Sequence, residues 1–372
     1  MAEVVEPRYG DGSLTDILPS VLGALGVPGE ENVLRLPPAR RYCVLLIDGL
    51  GWHLLRSNPA AAPFLHSLDG RALTCGVPST TATSLTSFGT GLPPGRHGVV
   101  GYSSRIPGTR SDLLNALKWS KSVDPATYQP YPSVFQRAAE AGVSPTVVGK
   151  REFRKSGLTG VALRPPSYQP AETLGERVAR SVDALRPEPS LVYVYDGDLD
   201  YTGHQSGCGS AAWRYELMIL DRFAEELYDA LPAGTALVVT ADHGMVDVPF
   251  ENRIDVDDVP ALREGVDLVA GEARFRHVYA APGAADDVLA AWREVLGRRA
   301  DVRARDDALA AGWFGAWEPR VHERIGDVVA AADAASAIER RSVFPVEKNL
   351  VGLHGALTAD EMLIPLLTTT PE

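Results

Sequence analysis

Three carboxylates and three imidazoles stand at the ends of apolar runs or beside glycines in this 372-residue chain. Asp48 follows the run Tyr42-Cys43-Val44-Leu45-Leu46-Ile47, and Asp242-His243-Gly244 follows Ala236-Leu237-Val238-Val239-Thr240. Asp200 and His204 are four residues apart, a spacing that puts both on one face of a helical turn. His354 lies in the segment Gly352-Leu353-His354-Gly355. Donors of these types suit a borderline divalent ion, zinc first, with manganese or iron as alternatives. Taken singly, each has an ordinary explanation. Asp-Gly after a strand is a turn signal, an isolated Asp-x-x-x-His pair is commonly solvated or helix-capping, and many loops carry a histidine between glycines. Taken together they carry more weight, because the ends of parallel strands fall along one edge of a sheet, where open α/β folds keep their sites.

The remaining chemistry lies in Val77-Pro78-Ser79-Thr80-Thr81-Ala82-Thr83-Ser84. Hydroxyls just before a helix often cap it. They can also supply a nucleophile beside backbone N–H groups that are free to hold phosphate oxygens. A threonine hydroxyl is a weak nucleophile at its ordinary pKa, and a metal ion can make it an alkoxide at neutral pH.

The order Asp48, Thr81, Asp200-x-x-x-His204, Asp242-His243, His354 resembles the alkaline phosphatase superfamily. Within it, the chain is similar to the nucleotide pyrophosphatase/phosphodiesterase branch. The motifs that carry the resemblance are Asp48-Gly49, the block from Pro78 to Gly91, Asp200-Tyr-Thr-Gly-His204, Thr240-Ala-Asp-His-Gly-Met245 and Gly352-Leu-His354-Gly355, which together span most of the chain. The resemblance implies two divalent ions, usually zinc. One would be held by Asp200, His204 and His354, the other by Asp48, Asp242 and His243, with the Thr81 hydroxyl as its nucleophilic ligand. It also implies in-line attack by Thr81 on phosphorus, a phospho-threonine intermediate, and hydrolysis of a phosphodiester or pyrophosphate bond. The substrate would be a small phosphoester, with a nucleotide among the candidates.

Departures from the family pattern bear on substrate. Ser84 stands where the family has an asparagine that donates to a phosphoryl oxygen, so Ser84 is a candidate donor with a single O–H. Ala82 replaces a base-stacking aromatic, which removes roughly 1–3 kcal/mol of stacking. Trp52, Tyr102 and Tyr201 are alternative slot-forming rings, although core packing is the commoner role of such residues. Lys150 and Arg151 follow a strand and could meet a substrate anion or simply sit at the surface. A sulfatase is excluded: around Cys75-Gly-Val-Pro-Ser-Thr80 the spacing is one too long and the arginine is absent. A phosphomonoesterase or phosphonate hydrolase would use a similar metal site and stays open. A non-catalytic metal-binding scaffold is disfavoured, since every ligand position and the nucleophile are filled.

The elements that must position these residues read as α/β, with a mostly parallel central sheet and helices on both faces. Apolar strands at 42–47, 145–148, 191–195 and 236–240 alternate with helices at 83–88, 131–141, 172–185 and 212–231, after a mixed helix at 14–25. Past Val248 the texture becomes acidic and irregular. Residues 249–345 are expected to form a small α/β cap or insert on a core made of 1–248 and 346–372. A net charge of −12 argues against nucleic-acid polymers or anionic membranes as partners, although bound metal ions can reverse the local sign for an anionic substrate. The scattered cysteines Cys43, Cys75 and Cys208 suit free thiols, and neither a signal segment nor a long apolar run is read, so a cytoplasmic location is the expectation. Nothing in the sequence sets the oligomeric state or the physiological substrate.

Overall fold

The computed structural model describes residues 4–333 and 335–369. The main sheet contains, in chain order, β1 (Arg41–Ile47), β2 (Asp69–Thr74), β3 (Ser144–Gly149), β4 (Tyr168–Pro170), β5 (Ser190–Asp196) and β6 (Thr235–Thr240). A second sheet follows: β7 (Val266–Glu272), β8 (Phe275–Ala280), β9 (Ala300–Ala304) and β10 (Val328–Ala332). The chain then returns to the first sheet with β11 (Leu363–Thr369). The spatial order in the main sheet is β2-β11-β6-β1-β5-β3-β4. Strand β1 pairs in parallel with both β5 and β6, and β5 with β3, so the centre of the sheet is parallel as the sequence implies. Helices cover both faces, which explains why β1 and β6 are buried almost throughout and read as unbroken apolar runs.

Three main-sheet strands escape sequence reading, the short edge strand β4 among them. β2 (Asp-Gly-Arg-Ala-Leu-Thr) is half exposed and lacks an apolar run. β11 contains Pro365, which argues against a central strand, yet β11 lies antiparallel between β2 and β6. The β6 ladder begins at Leu366 opposite Thr240, so Pro365 lies just beyond it and pairs only with Ala72 of β2. Its carbonyl still accepts from Thr240 Oγ1 at 2.7 Å.

The longer helices are α1 (Ile17–Ala24), α2 (Thr81–Thr90), α3 (Leu174–Ala184), α4 (Asp198–Ser206), α5 (Ala211–Ala230) and α6 (Ala285–Leu296). Ser210 caps α5, accepting from Trp213 N–H, and Trp213, Leu217, Leu220, Phe223 and Leu227 form its buried stripe. Among the described residues no helix is long and apolar enough to cross a membrane. All three cysteines are buried and free.

The second sheet lies within residues 249–345, in the order β7-β8-β10-β9. Its two faces serve different cores, as alternation along a strand requires. Val328 and Ala330 of β10 pack with Trp292 of α6, whereas Val329 and Ala331 join Phe275, Trp313 and Phe314 in the main core. Buried ion pairs add polar ties. Arg253 meets Glu339 at 3.0 Å, Arg276 meets Glu347, and Arg274 meets Glu361 next to β11 at 2.6 Å.

Candidate active site

Parallel register brings the first ligands together. Ile47 is opposite Asp196 and Leu46 is opposite Thr240, so the segments after β1, β5 and β6 leave the sheet side by side. Asp48 N–H donates to Asp196 carbonyl at 2.8 Å, and Gly49 N–H donates to Asp242 Oδ1 at 3.1 Å. Gly49 has φ of 75°, and a Cβ there would come within 3.1 Å of Asp200 Cα. Any other residue would push Asp200 away from Asp48. Gly244 is fixed by closeness alone, since a Cβ would lie 1.9 Å from the Asp360 carbonyl.

Asp200 and His204 are on successive turns of α4, with His204 Nε2 3.4 Å from Asp200 Oδ2. His354 Nε2 is 3.8 Å from Asp200 Oδ1. On the other side, His243 Nε2 lies 3.3 Å from Asp48 Oδ1, 3.5 Å from Asp242 Oδ2 and 3.2 Å from Thr81 Oγ1. The His243 and His354 rings stack at 3.8 Å and 19°. All six expected ligands and Thr81 therefore converge, with His243 between the two expected sets. Donor atoms of Asp48, Asp242 and His243 lie within 4.8 Å of one another, as do those of Asp200, His243 and His354. His204 sits on the outer oxygen of Asp200.

Each histidine is aimed by its other ring nitrogen. Nδ1 of His204 meets Gly352 carbonyl at 2.8 Å, that of His243 meets Gly244 carbonyl at 3.0 Å, and that of His354 meets Ser79 carbonyl at 2.9 Å. A carbonyl only accepts, so Nδ1 donates in each case and Nε2 is the nitrogen turned toward the carboxylates. Such anchoring is typical of metal-ligating histidines. Asp48 Oδ1, Asp200 Oδ1 and Asp242 Oδ2 are buried without a hydrogen-bond partner. Burial, then the Asp242 and Asp200 carboxylates, holds Asp48 well above the usual carboxylate range. Burial also raises Asp242, while burial and then the rings of His243 and His204 push His354 well below the usual imidazole range. Carboxylates buried and crowded this way ionise together only beside compensating positive charge, and the donor set fits divalent metal ions.

Thr81 is the first residue of α2, and the side chain of the preceding Thr80 forms no cap, so first-turn N–H groups stay available for an anion. The loop before it is tied to the His354 loop. Ser79 Oγ donates to Ala356 carbonyl at 2.7 Å and accepts from Gly355 N–H at 3.1 Å. Ser84 is fully buried, its hydroxyl lacks a partner, and it lines neither cavity at Thr81, so its role as a phosphoryl donor gains no geometric support.

Two cavities meet at Thr81. One, of about 230 Å³, is apolar and lined by Leu85, Val147, Phe153, Leu158 and Leu163 among others. The other, of about 220 Å³, lies toward the second sheet and is lined by Tyr102, Glu272, Phe344 and Leu353 among others. Of the candidate slot-forming rings, Tyr102 lines a cavity, Trp52 is half-buried under Arg56, and Tyr201 is 65% exposed. Lys150 is held by Asp198 at 2.8 Å and Arg151 is exposed, and neither lines the two cavities. Two residues near the site escape sequence reasoning. Tyr195 donates its hydroxyl to Asp48 Oδ2 at 2.5 Å. Its place at the end of an apolar strand beside a ligand strand was a usable signal. Glu272, in an ordinary strand context, gave none.

The family model for type I phosphodiesterase / nucleotide pyrophosphatase matches residues 42–357. No curated protein matches significantly. Solved structures of similar fold include murine ectonucleotide pyrophosphatase/phosphodiesterase 5 (20% identity, 87% of each chain covered, TM-score 0.70). An inactive threonine-to-alanine variant of that protein, in complex with AMP, matches at 19% identity over 88% of this chain and 87% of the other, with TM-score 0.69. Phosphonoacetate hydrolase from Sinorhizobium meliloti, in complex with phosphonoacetate, matches at 20% identity over 90% and 91% of the two chains, with TM-score 0.67. The matched segment runs from the first central strand past His354 and takes in every converging residue, so the chain belongs to the type I phosphodiesterase / nucleotide pyrophosphatase family and is a phosphodiesterase-like hydrolase.

Proposed function

We propose that the protein hydrolyses phosphodiester or pyrophosphate bonds through a phospho-threonine intermediate on Thr81, with two divalent ions, zinc foremost, held by Asp200, His204 and His354 and by Asp48, Asp242 and His243. The observation that carries this reading is the Thr81 hydroxyl at the start of α2, 3.2 Å from His243 Nε2, in a cluster where three aspartates each keep an unpartnered oxygen. When bound, the ions would lower the pKa of the Thr81 hydroxyl and of a water and would offset phosphoryl charge. Thr81 Oγ1 forms the new bond to phosphorus as the ester oxygen opposite leaves and takes up a proton. Water then attacks phosphorus, the bond to Thr81 breaks, and the hydroxyl is restored. The first-turn N–H groups of α2 favour the non-bridging oxygens throughout. Tyr195 orients Asp48 and the carbonyl partners orient the imidazoles, so little reorganisation is needed. Residues 249–345 act as a cap that walls the second cavity. The inactivity of the threonine-to-alanine variant of the murine relative supports a threonine nucleophile here, and its AMP supports a nucleotide as one ester group.

The test is a substrate panel on metal-replete protein: an aryl phosphodiester, an aryl monoester and a phosphonate, with acid quench and peptide mass spectrometry of Thr81. Diester turnover with transient phosphorylation of Thr81 is expected, and both should vanish in Thr81→Ala. Stoichiometric metal with no turnover of any of the three would overturn the enzyme reading. A faster monoester or phosphonate rate would shift it to that alternative.

A further inference from the structure

Helix α5 carries a second apolar stripe on the side away from the core. Tyr215, Met218 and Ile219 are 67, 47 and 50% exposed there. Leu174 and Val178 of α3 stand half-buried beside them, and the two helices flank an open, mostly apolar groove of about 680 Å³. The buried stripe of α5 already holds the helix on the sheet. The exposed one therefore adds nothing to the fold and leaves contiguous apolar surface in water, the mark of an interaction face.

Charge indicates what fits this face, because its sign reverses along α5. Arg214, in the first turn, donates to Gly209 carbonyl at 2.8 Å and has no carboxylate partner among the described residues. Toward the other end stand Glu225, Glu226 and Asp229, and Arg222 engages both glutamates while Asp229 meets no cation among the described residues. A face that is positive at one end and negative at the other matches a copy of itself turned end for end. With a twofold axis near Ile219, Arg214 of each copy comes level with Glu225 of the other, and Tyr215 with Arg222 at the lip of the groove. A parallel pairing would set like charges together. Helix α5 is about 30 Å long, and with α3 alongside the face can bury roughly 600 Å² per copy, about 1,200 Å² in all, the lower end for a specific interface.

We propose that the α3–α5 face is the interface of a twofold homodimer in which α5 packs antiparallel on α5 of a second copy. Because α5 follows α4 directly, its first turn lies at the end of the sheet that carries the site. Antiparallel pairing thus leaves the two active sites at opposite ends of the dimer, each complete within one chain.

Sedimentation velocity of the full chain should show a monomer–dimer equilibrium with a Kd of about micromolar order. Ile219→Glu, at the centre of the face, should raise that Kd by about 30-fold or more. Arg214→Glu should raise it by about tenfold through its two symmetric charge pairs. Circular dichroism should be unchanged in both. Cross-linking reads the geometry separately, since the native cysteines are buried. Mild oxidation of Ile219→Cys should give an intersubunit disulfide, whereas the two copies of Arg214→Cys, about 15 Å apart along the axis, should stay unlinked. A chain that remains monomeric at about 100 μM would overturn the proposal and leave the groove to a different partner. A dimer indifferent to Ile219→Glu, or one cross-linked through Arg214→Cys in preference to Ile219→Cys, would overturn it by placing the interface elsewhere or the helices parallel.

Discussion

The two cavities that meet at Thr81 are nearly equal in volume, about 230 and 220 Å³, yet they are built from different material. One is cut into the main core, between α2, β3 and the segment around Phe153 and Leu158, and takes its apolar character from side chains that also stabilise the fold. The other is closed by the second sheet and the segment around Phe344, and carries the buried carboxyl of Glu272. The contrast teaches where chemistry and selectivity are encoded. The converging aspartates, histidines and Thr81 lie at the edge of the parallel sheet, while Glu272, Ala273 and Phe344 form the side of the second cavity that residues 249–345 supply.

The most damaging way to break the comparison is to remove what the cavities share. Thr81→Ala should reduce turnover of every diester by about 10³-fold or more and erase discrimination by rate, since on the proposed mechanism the nucleophile is lost rather than a binding contact. Metal content by elemental analysis should remain near wild type. Loss of metal on chelation should likewise silence all substrates. It should lower Tm more at pH 8 than at pH 5.5, because ligand carboxylates and imidazoles must be deprotonated to hold the ions. A Tm gap that shrinks as pH rises would contradict the assignment of these residues as ligands.

Smaller changes sharpen the comparison one side at a time. Leu158→Asn places an amide in the apolar cavity, and roughly 1.5–3 kcal/mol of apolar burial is at stake. For a diester with a long alkyl group, kcat/KM should drop by about tenfold, with little change for the methyl ester. Equal losses for both would mean that the cavity does not hold an ester group. On the other side, burial pushes the Glu272 carboxyl up to about 8. In metal-free protein the folded state therefore keeps this proton across a window where the unfolded chain has lost it. That stabilising proton is fully in place below the unfolded carboxyl pKa, and its contribution declines as pH rises toward about 8. Replacement by glutamine removes the titration, so the advantage of Glu272→Gln in Tm should grow from pH 5 to pH 8, by a few degrees at most. A constant difference between variant and wild type would mean that the Glu272 carboxyl does not titrate in this range.

Much of the reacting centre was legible because it obeys a local rule. A continuous apolar strand ending in Asp or Asp-His needs no long-range information, and Asp48, Asp242 and His243 announce themselves in this way. Asp200 and His204 follow from helical spacing. Pairing across the chain was harder to read. β11 was hidden by Pro365, which is tolerated because the β6 ladder begins one residue later. Ser84 was drawn to the site by its distance from Thr81, yet burial of that face of α2 keeps it off both cavities. His243 reads as a ligand of one set, whereas in space it stands against both. Glu272 was invisible. Its burial beside Thr80, Tyr102 and Arg276 is a property of the folded arrangement, which no spacing in the sequence records.

The anchoring of His354 through Ser79 and Gly355, just ahead of β11, has a consequence for how the protein matures. During synthesis the segment bearing Asp48 and Thr81 emerges early, and the last histidine emerges only after the whole second sheet. On the proposed assignment, the ion held by Asp200, His204 and His354 would find its full ligand set only as β11 is inserted between β2 and β6. Binding energy gained at that moment would act as a latch on the closing step.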